Sequence, residues 1–368
     1  MFYITSIIIF VIITIKARGR ENMRLYINKC WKPAMILLAG VLLLAGCGKS
    51  GGGGEIVEGK LNVVTSFYPV YEFSVAIGGE DANVINLLPT GVEPHDWTPR
   101  SKDMLNTSKA DLFLYNGAGL EGWVPNFLKG LNQDAKVKPV ELSKGIELIY
   151  AEGDDGHNHG HAEAGENGAE EEAHADEAHA DEAHSEEDHE DGHDHHIDPH
   201  TWVSPKSAKI MAENIKNSFV EADPAHKEGY EARFAELRQK LDDLDAKFTE
   251  ELAKTSKKEI VVSHQAFGYL CRDYGLTQHA IMGLSPEAEP RAQDLVKLSK
   301  MVKQEGIRYI FFEELVSDKL AKTLASEAGV ETLVLNPVEG LTQEQQENGD
   351  NFFTLMEKNL QNLILALK

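Results

Sequence analysis

Residues 257–282 read KKEIVVSHQAFGYLCRDYGLTQHAIM. Glu259–Ser263 is a short apolar run of strand type, Ala266–Tyr274 has helical character, and Leu276–Met282 is strand-like again. Strand, helix and strand in close succession predict a parallel sheet covered by helices on both faces. His264 stands directly after the first strand. That is where open α/β sheets bind ligands, beyond the carboxyl ends of their strands.

The same alternation continues outward. On the C-terminal side, Arg291–Glu305, Lys319–Ala328 and Asn348–Leu367 read as helices, with strands at Arg308–Phe312 and Thr332–Leu335. Far upstream, Leu61–Ser66, Asn83–Leu88 and Asp111–Tyr115 read as strands, with helices at Tyr68–Ile77 and Ser101–Ser108. Between the two series lie a helix at Pro205–Val220 and a charged amphipathic run, His226–Lys254. In that run Leu237, Leu241, Leu244 and Phe248 recur at three- and four-residue steps, one stripe of a helix. With no Gly or Pro across Tyr230–Lys254, the helix would be roughly 40 Å long, a stiff connector. The expected fold is α/β: two lobes with helix-flanked parallel sheets, joined by one long rigid helix.

Residues 151–197 break this pattern. They are rich in Glu, Asp, His, Ala and Gly, with no Lys, Arg or apolar face, and EAHAD occurs at 172–176 and 177–181. Such a segment reads as a solvated, disordered insertion. The expected organisation is a targeting segment (1–46), a lipidated Cys and flexible tether (47–59), and an N-terminal lobe (60–150). The insertion (151–197), the end of that lobe (198–225), the connecting helix (226–256) and the C-terminal lobe (257–368) follow.

The first 46 residues hold two apolar runs, each shorter than the ~20 residues a bilayer-spanning helix needs. The second has a basic flank, an apolar stretch and Leu44-Ala45-Gly46-Cys47, which resembles a bacterial lipobox. Cys47 would then be the acylated first residue of a mature lipoprotein, followed by the tether GKSGGGG, with translation starting at Met23. The chain has 60 Asp plus Glu against 36 Lys plus Arg, a net charge of −24. This argues against nucleic-acid partners, which need a basic face. Three Cys exclude a disulfide scaffold, and Cys271, in an apolar run, reads as a buried small hydrophobe.

Of fifteen His, ten lie between His157 and His196. Outside the insertion, His95 (in EPHDW), His200 (in DPHTW) and His264 fall in loops, two of them after strands on different lobes, so that an inter-lobe cleft would bring them together. Glu339, in NPVEG after the strand TLVL, is a carboxylate of the same placement. Three imidazoles and one carboxylate make a tetrahedral set for Zn²⁺. Glu93 or Asn336 are alternatives for the fourth position, as is water. His226 is expected to be exposed, His279 to be structural, and Trp97 and Trp202 to pack.

In this order the motifs resemble those of the exported metal-binding lipoproteins of bacterial ABC importers, the cluster A-I group. The matching runs are SFYPVYEFSVAIGG (66–79), GVEPHDWTPRSKD (91–103), DPHTWVSPKSAK (198–209), IVVSHQAFGYLCRDYGL (260–276), SPEAEPR (285–291) and LNPVEGLT (335–342). The resemblance implies a non-enzymatic protein with metal held between the lobes by His95, His200, His264 and Glu339. Manganese-type members look to have a carboxylate where this chain has His264, so imidazole there favours Zn²⁺. The implied partners are a membrane permease and a cytoplasmic ATPase, with the monomeric protein anchored by lipid outside the cytoplasmic membrane. Asp96 and Ser263 are candidates for orienting a ring N–H. The insertion's His157, His159, His161, His174, His179, His184, His189, His193, His195 and His196 would form a weak auxiliary store. Two rivals are a zinc hydrolase with an open three-His site and a surface adhesin. The absence of HExxH and of a nucleophile elbow counts against the hydrolase.

Overall fold

The computed structural model describes residues 55–132, 134–151, 196–286 and 290–368. The expected targeting segment, Cys47, the insertion between its two ends and the centre of SPEAEPR lie outside them. The first sheet consists of β1 (Leu61–Thr65), β2 (Ala82–Asn86), β3 (Leu112–Tyr115) and β4 (Lys138–Glu141), all parallel, in the order β2-β1-β3-β4. Helices α1 (Tyr68–Gly78), α2 (Ser101–Thr107) and α3 (Val124–Lys129) make the crossovers. The second sheet consists of β7 (Glu259–Val262), β8 (Thr277–Ala280), β9 (Tyr309–Phe312) and β10 (Glu331–Val334), parallel in the order β10-β9-β7-β8. Counted within its own sheet, each has the order 2-1-3-4. Both therefore reverse direction between first and third strands, which opens a ligand crevice at those strands' carboxyl ends.

The central strands β1, β3, β7 and β9 are buried on both faces, which is why they read as continuous apolar runs rather than alternating ones. In the first sheet Val63, Leu112 and Leu114 face one core, and Val64 and Phe113 face another with Val124 and Phe127. In the second, Ile260, Val262 and Phe311 face the same core as Val63, whereas Val261 and Ile310 pack outward with Val302 and Leu324. One core is thus shared by both sheets.

The members that make it continuous come from α4 (Pro205–Ala222) and α5 (Lys227–Ala253). The expected stripe Leu237, Leu241, Leu244 and Phe248 is buried, extended by Tyr230 and Leu252. At 27 residues and 1.5 Å per residue, α5 is roughly 40 Å long. Helices α6 (Gly268–Tyr274), α7 (Ala292–Gln304) and α8 (Lys319–Ala328) alternate with the strands of the second sheet.

Three details depart from the sequence reading. Helix α3 and strand β4 carry too few apolar residues to announce themselves. β4 is an edge strand, which is where its Pro139 is tolerated. The helix expected over Asn348–Leu367 begins only at Phe352, and a short helix missing from the reading precedes it: α9 (Gln343–Asn348), then α10 (Phe352–Ala366). Gly349, at φ +74°, ends the first, and the Asn351 side chain caps the second by accepting from the N–H groups of Phe353 and Thr354. The insertion leaves and re-enters through an antiparallel pair, β5 (Tyr150–Ala151) with β6 (His196–Ile197). Among the described residues no helix is long and apolar enough to cross a membrane.

Candidate metal centre

Four side chains arrive at one point from four stretches of chain. His95 lies on the loop between β2 and α2, and His200 between β6 and the 3₁₀ turn Thr201–Val203. His264 is two residues beyond β7, and Glu339 follows β10. One ligand atom from each lies within 4.8 Å of all the others. His200, His264 and Glu339 are buried, and His95 keeps 10 % of its side chain exposed, so it stands at the mouth.

The separations are those of a coordination shell. The Nε2 atoms of His95 and His200 are 3.1 Å apart, and those of His200 and His264 are 3.2 Å apart. Glu339 Oε1 stands 3.3 Å from His200 Nε2, 3.5 Å from His95 Nε2 and 3.7 Å from His264 Nε2. Zinc bonds of ~2.0–2.2 Å give a regular tetrahedron with edges of about 3.3–3.6 Å. The five measured edges bracket that range. Glu339 Oε1 is buried and accepts no well-aligned hydrogen bond, although three ring nitrogens surround it. A buried carboxylate oxygen in that position fits a cation at the centre of the four.

The opposite ring nitrogens fix the tautomers. His200 Nδ1–H donates to Asp198 Oδ1 at 2.8 Å, and His264 Nδ1–H donates to Glu313 Oε1 at 2.7 Å. Both rings therefore turn Nε2 to the centre, where it becomes the ligand atom once its proton is displaced, in the carboxylate–histidine arrangement that raises ligand basicity. Asp198 is also held by the His200 backbone N–H at 3.0 Å. Gly268 makes room for it, because a Cβ there would collide with Asp198 Oδ2. Beneath His200, the Asn116 side chain donates to Pro199 O at 2.8 Å and accepts from Thr201 Oγ1 at 2.7 Å, so the end of β3 carries this loop.

Buried negative charge outweighs positive charge here, and protons follow. Burial opposes a charge on His264, but the adjacent Glu313 carboxylate overcomes it and pushes the ring up to about 10. His200 is raised in the same way, against its burial, by Asp198 and Glu339. Burial would raise Glu339, yet the three imidazoles hold it well below the usual carboxylate range. Glu93 is raised, first by burial and then by the charge of Glu339.

The alternatives for the fourth position are engaged elsewhere. Glu93 accepts the His95 backbone N–H, and its nearest oxygen is 4.0 Å from His95 Nε2. Asn336 Oδ1 accepts the Val338 N–H at 2.7 Å, and its Nδ2 donates to Glu314 at 2.7 Å. Asp96 bonds no ring nitrogen among the described residues. Ser263 donates its hydroxyl to Glu313 rather than to a ring, so it steadies the group that orients His264. The orienting carboxylates themselves, Asp198 and Glu313, are absent from the sequence reading. Both had a visible signal: Asp198 is two residues before His200, and Glu313 directly follows strand β9.

The remaining candidates separate cleanly. His226 is exposed and pairs with Asp223 at 2.7 Å, and His279 pairs with Glu259 at 2.6 Å. Cys271 is buried and free. Trp202 is fully buried, and Trp97 stacks edge-on against Trp123 at 5.6 Å. Cys47, the insertion histidines from His157 to His195, and the His196 side chain lie outside the described residues.

Comparison with known proteins places this arrangement. The family model described as zinc-uptake complex component A, periplasmic, matches residues 63–366. The high-affinity zinc uptake system protein ZnuA of Bacillus subtilis is 42 % identical over 334 residues, covering 90 % of this chain and 96 % of the relative. The zinc-binding protein AdcA of Streptococcus pyogenes is 43 % identical over 311 residues. That match covers 84 % of this chain and 57 % of the relative, so the chain spans little more than half the length of the streptococcal protein. The crystal structure of the Zn(II)-bound ZnuA-like domain of Streptococcus pneumoniae AdcA superposes with a TM-score of 0.66 at 38 % identity, covering 84 % of this chain and 99 % of that one. The chain thus belongs to the family of zinc-uptake complex component A, periplasmic.

Proposed function

We propose that this protein captures Zn²⁺ outside the cytoplasmic membrane and delivers it to a membrane permease driven by a cytoplasmic ATPase. The observation that carries the reading is the tetrahedron of His95, His200, His264 and Glu339, with its edges of 3.1–3.7 Å and its buried carboxylate. Three neutral imidazoles and one carboxylate suit zinc over manganese, which favours oxygen ligands. A protein carboxylate in the fourth position leaves no open site for a reacting water, which favours capture and release over hydrolysis. Zinc is here the cargo. Family membership and the uptake role of the Bacillus relative support the transport partners.

Cys47 is the proposed lipid anchor, with 48–54 as tether, shorter than the expected 48–59 because Ile56 packs on the outer core of the first sheet and Val57 is hydrogen-bonded to Asn62. The insertion serves as a low-affinity store, holding zinc near the cleft at high local concentration. The test uses the chain from residue 47 with Cys47→Ser, dialysed against equal zinc and manganese and assayed by elemental analysis. The expected result is tightly held zinc, with one equivalent lost in His264→Ala. Bound manganese, or an unchanged zinc content in His264→Ala, contradicts the assignment.

A further inference from the structure

Glu339 reaches the cluster from the last strand of the second sheet, yet its loop is held from both sides of the cleft. At the loop's start Asn336 is fixed to α10. Its N–H donates to Asn359 Oδ1 at 2.8 Å, and its carbonyl accepts from Asn359 Nδ2 at 2.6 Å. Beyond Asn336 the anchors change. The Trp202 indole N–H donates to Pro337 O at 2.7 Å, and the Gly91 N–H donates to Leu341 O at 2.9 Å. These two bonds flank Glu339 by two residues on either side, and both donors lie on the loops that bring His200 and His95. Between these two bonds, beside Glu339, sits Val338, fully buried at φ +59°. A β-branched residue in the left-handed region is an outlier, kept only where its surroundings over-determine it.

Trp202 is the side-chain member of this clasp. It is packed edge-on to Phe67 at 4.7 Å and lies 5.4 Å from the His200 ring. Packing sets the position of the indole, and its one polar atom is committed to the loop of the carboxylate. We propose that Trp202 is a positioning residue for the metal's carboxylate ligand: by holding Pro337 it fixes Glu339 at the fourth corner. His200 and Glu339, 3.3 Å apart, then move as one unit although they belong to different parts of the chain. Opening the cleft would strain both together. This inference rests on the zinc-binding reading of the cluster.

The experiment measures zinc affinity by chelator competition in four proteins: the parent chain, Trp202→Phe, Glu339→Ala and the double variant. Trp202→Phe is expected to weaken binding about tenfold, the worth of one buried hydrogen bond, and to add almost nothing in the Glu339→Ala background. An equal loss in both backgrounds, or no loss in the parent, overturns the proposal. A second variant guards against loss of packing: 3-benzothienylalanine at position 202 keeps the two-ring shape and lacks the N–H donor. It should show the same tenfold loss, and parent-like affinity there also overturns the proposal. If the parent and Glu339→Ala bind zinc equally weakly, the zinc reading has failed. Tight binding by the parent with additive losses removes only the positioning role.

Discussion

At His264 the chemistry of the whole site is visible in one ring. Its Nδ1 is tied to Glu313, its Nε2 faces the centre, and its proton is held up to about pH 10 in the metal-free chain. Zinc must displace that proton, so binding at pH 7.5 is expected to release protons and to weaken as the pH falls. Calorimetry in buffers of different ionisation enthalpy reads this directly, and a buffer-independent enthalpy would contradict it. The metal-free protein follows the opposite sense. A ring at about 10 when folded and about 6.5 when unfolded contributes stability that is full below pH ~6.5 and lost as the pH rises toward 10. The denaturation midpoint of the metal-free chain should therefore fall between pH 6.5 and 9.5. Glu313→Gln keeps a hydrogen-bond acceptor but removes the charge, and it should cost about 10–100-fold in zinc affinity in a chelator competition. Unchanged affinity would mean that Glu313 does not tune the ring.

At the scale of elements, α5 does most to hold the site together without touching it. Its buried stripe joins the core that both sheets share. Leu241, fully buried at the middle of the stripe, should lose about 2–5 kcal/mol of stability on truncation to Ala. Urea unfolding checks this, and zinc stoichiometry should stay unchanged, because α5 positions both halves without supplying a ligand. The elements were legible where their pattern was strong. The stripe Leu237, Leu241, Leu244 and Phe248 is enough to specify α5, and the apolar runs LNVVT and EIVV are enough to specify β1 and β7. Elements of mixed composition, α3 and β4, were not legible, because their side chains are decided by the sheet edge and the outer core they cover. The stop at Gly349 and the cap at Asn351 were written in the sequence, but α9, Gln343–Asn348, has no apolar residue to show a helical stripe.

At the scale of the whole molecule, the two sheets repeat one topology and turn the same ends inward. The antiparallel pair at Tyr150–Ala151 and His196–Ile197 brings the ends of the insertion side by side. Replacing 152–195 with a short glycine turn should therefore leave the fold intact. Elemental analysis should then show fewer bound zinc ions and one tight site retained. Loss of the tight site on excision would show that the insertion does not act as a separate store.

By itself the sequence determined three candidate imidazoles, a short choice of groups for the fourth position, the α/β class and the long joining helix. These depend on residue type and local spacing: two imidazoles after apolar runs, a third in a Pro-His-Thr-Trp turn, a carboxylate after another run, and a stripe at helical period. Only the tertiary structure decided what surrounds the ligands. Asp198 and Glu313 orient His200 and His264, Asn336 is a loop anchor, and Trp202 reaches Pro337 across 135 residues of chain. The physical reason is that a ligand's identity is a property of one side chain. Its tautomer, its proton and its angle are instead set by neighbours that come from other strands, and only the closed crevice between the two sheets brings those neighbours within hydrogen-bond distance.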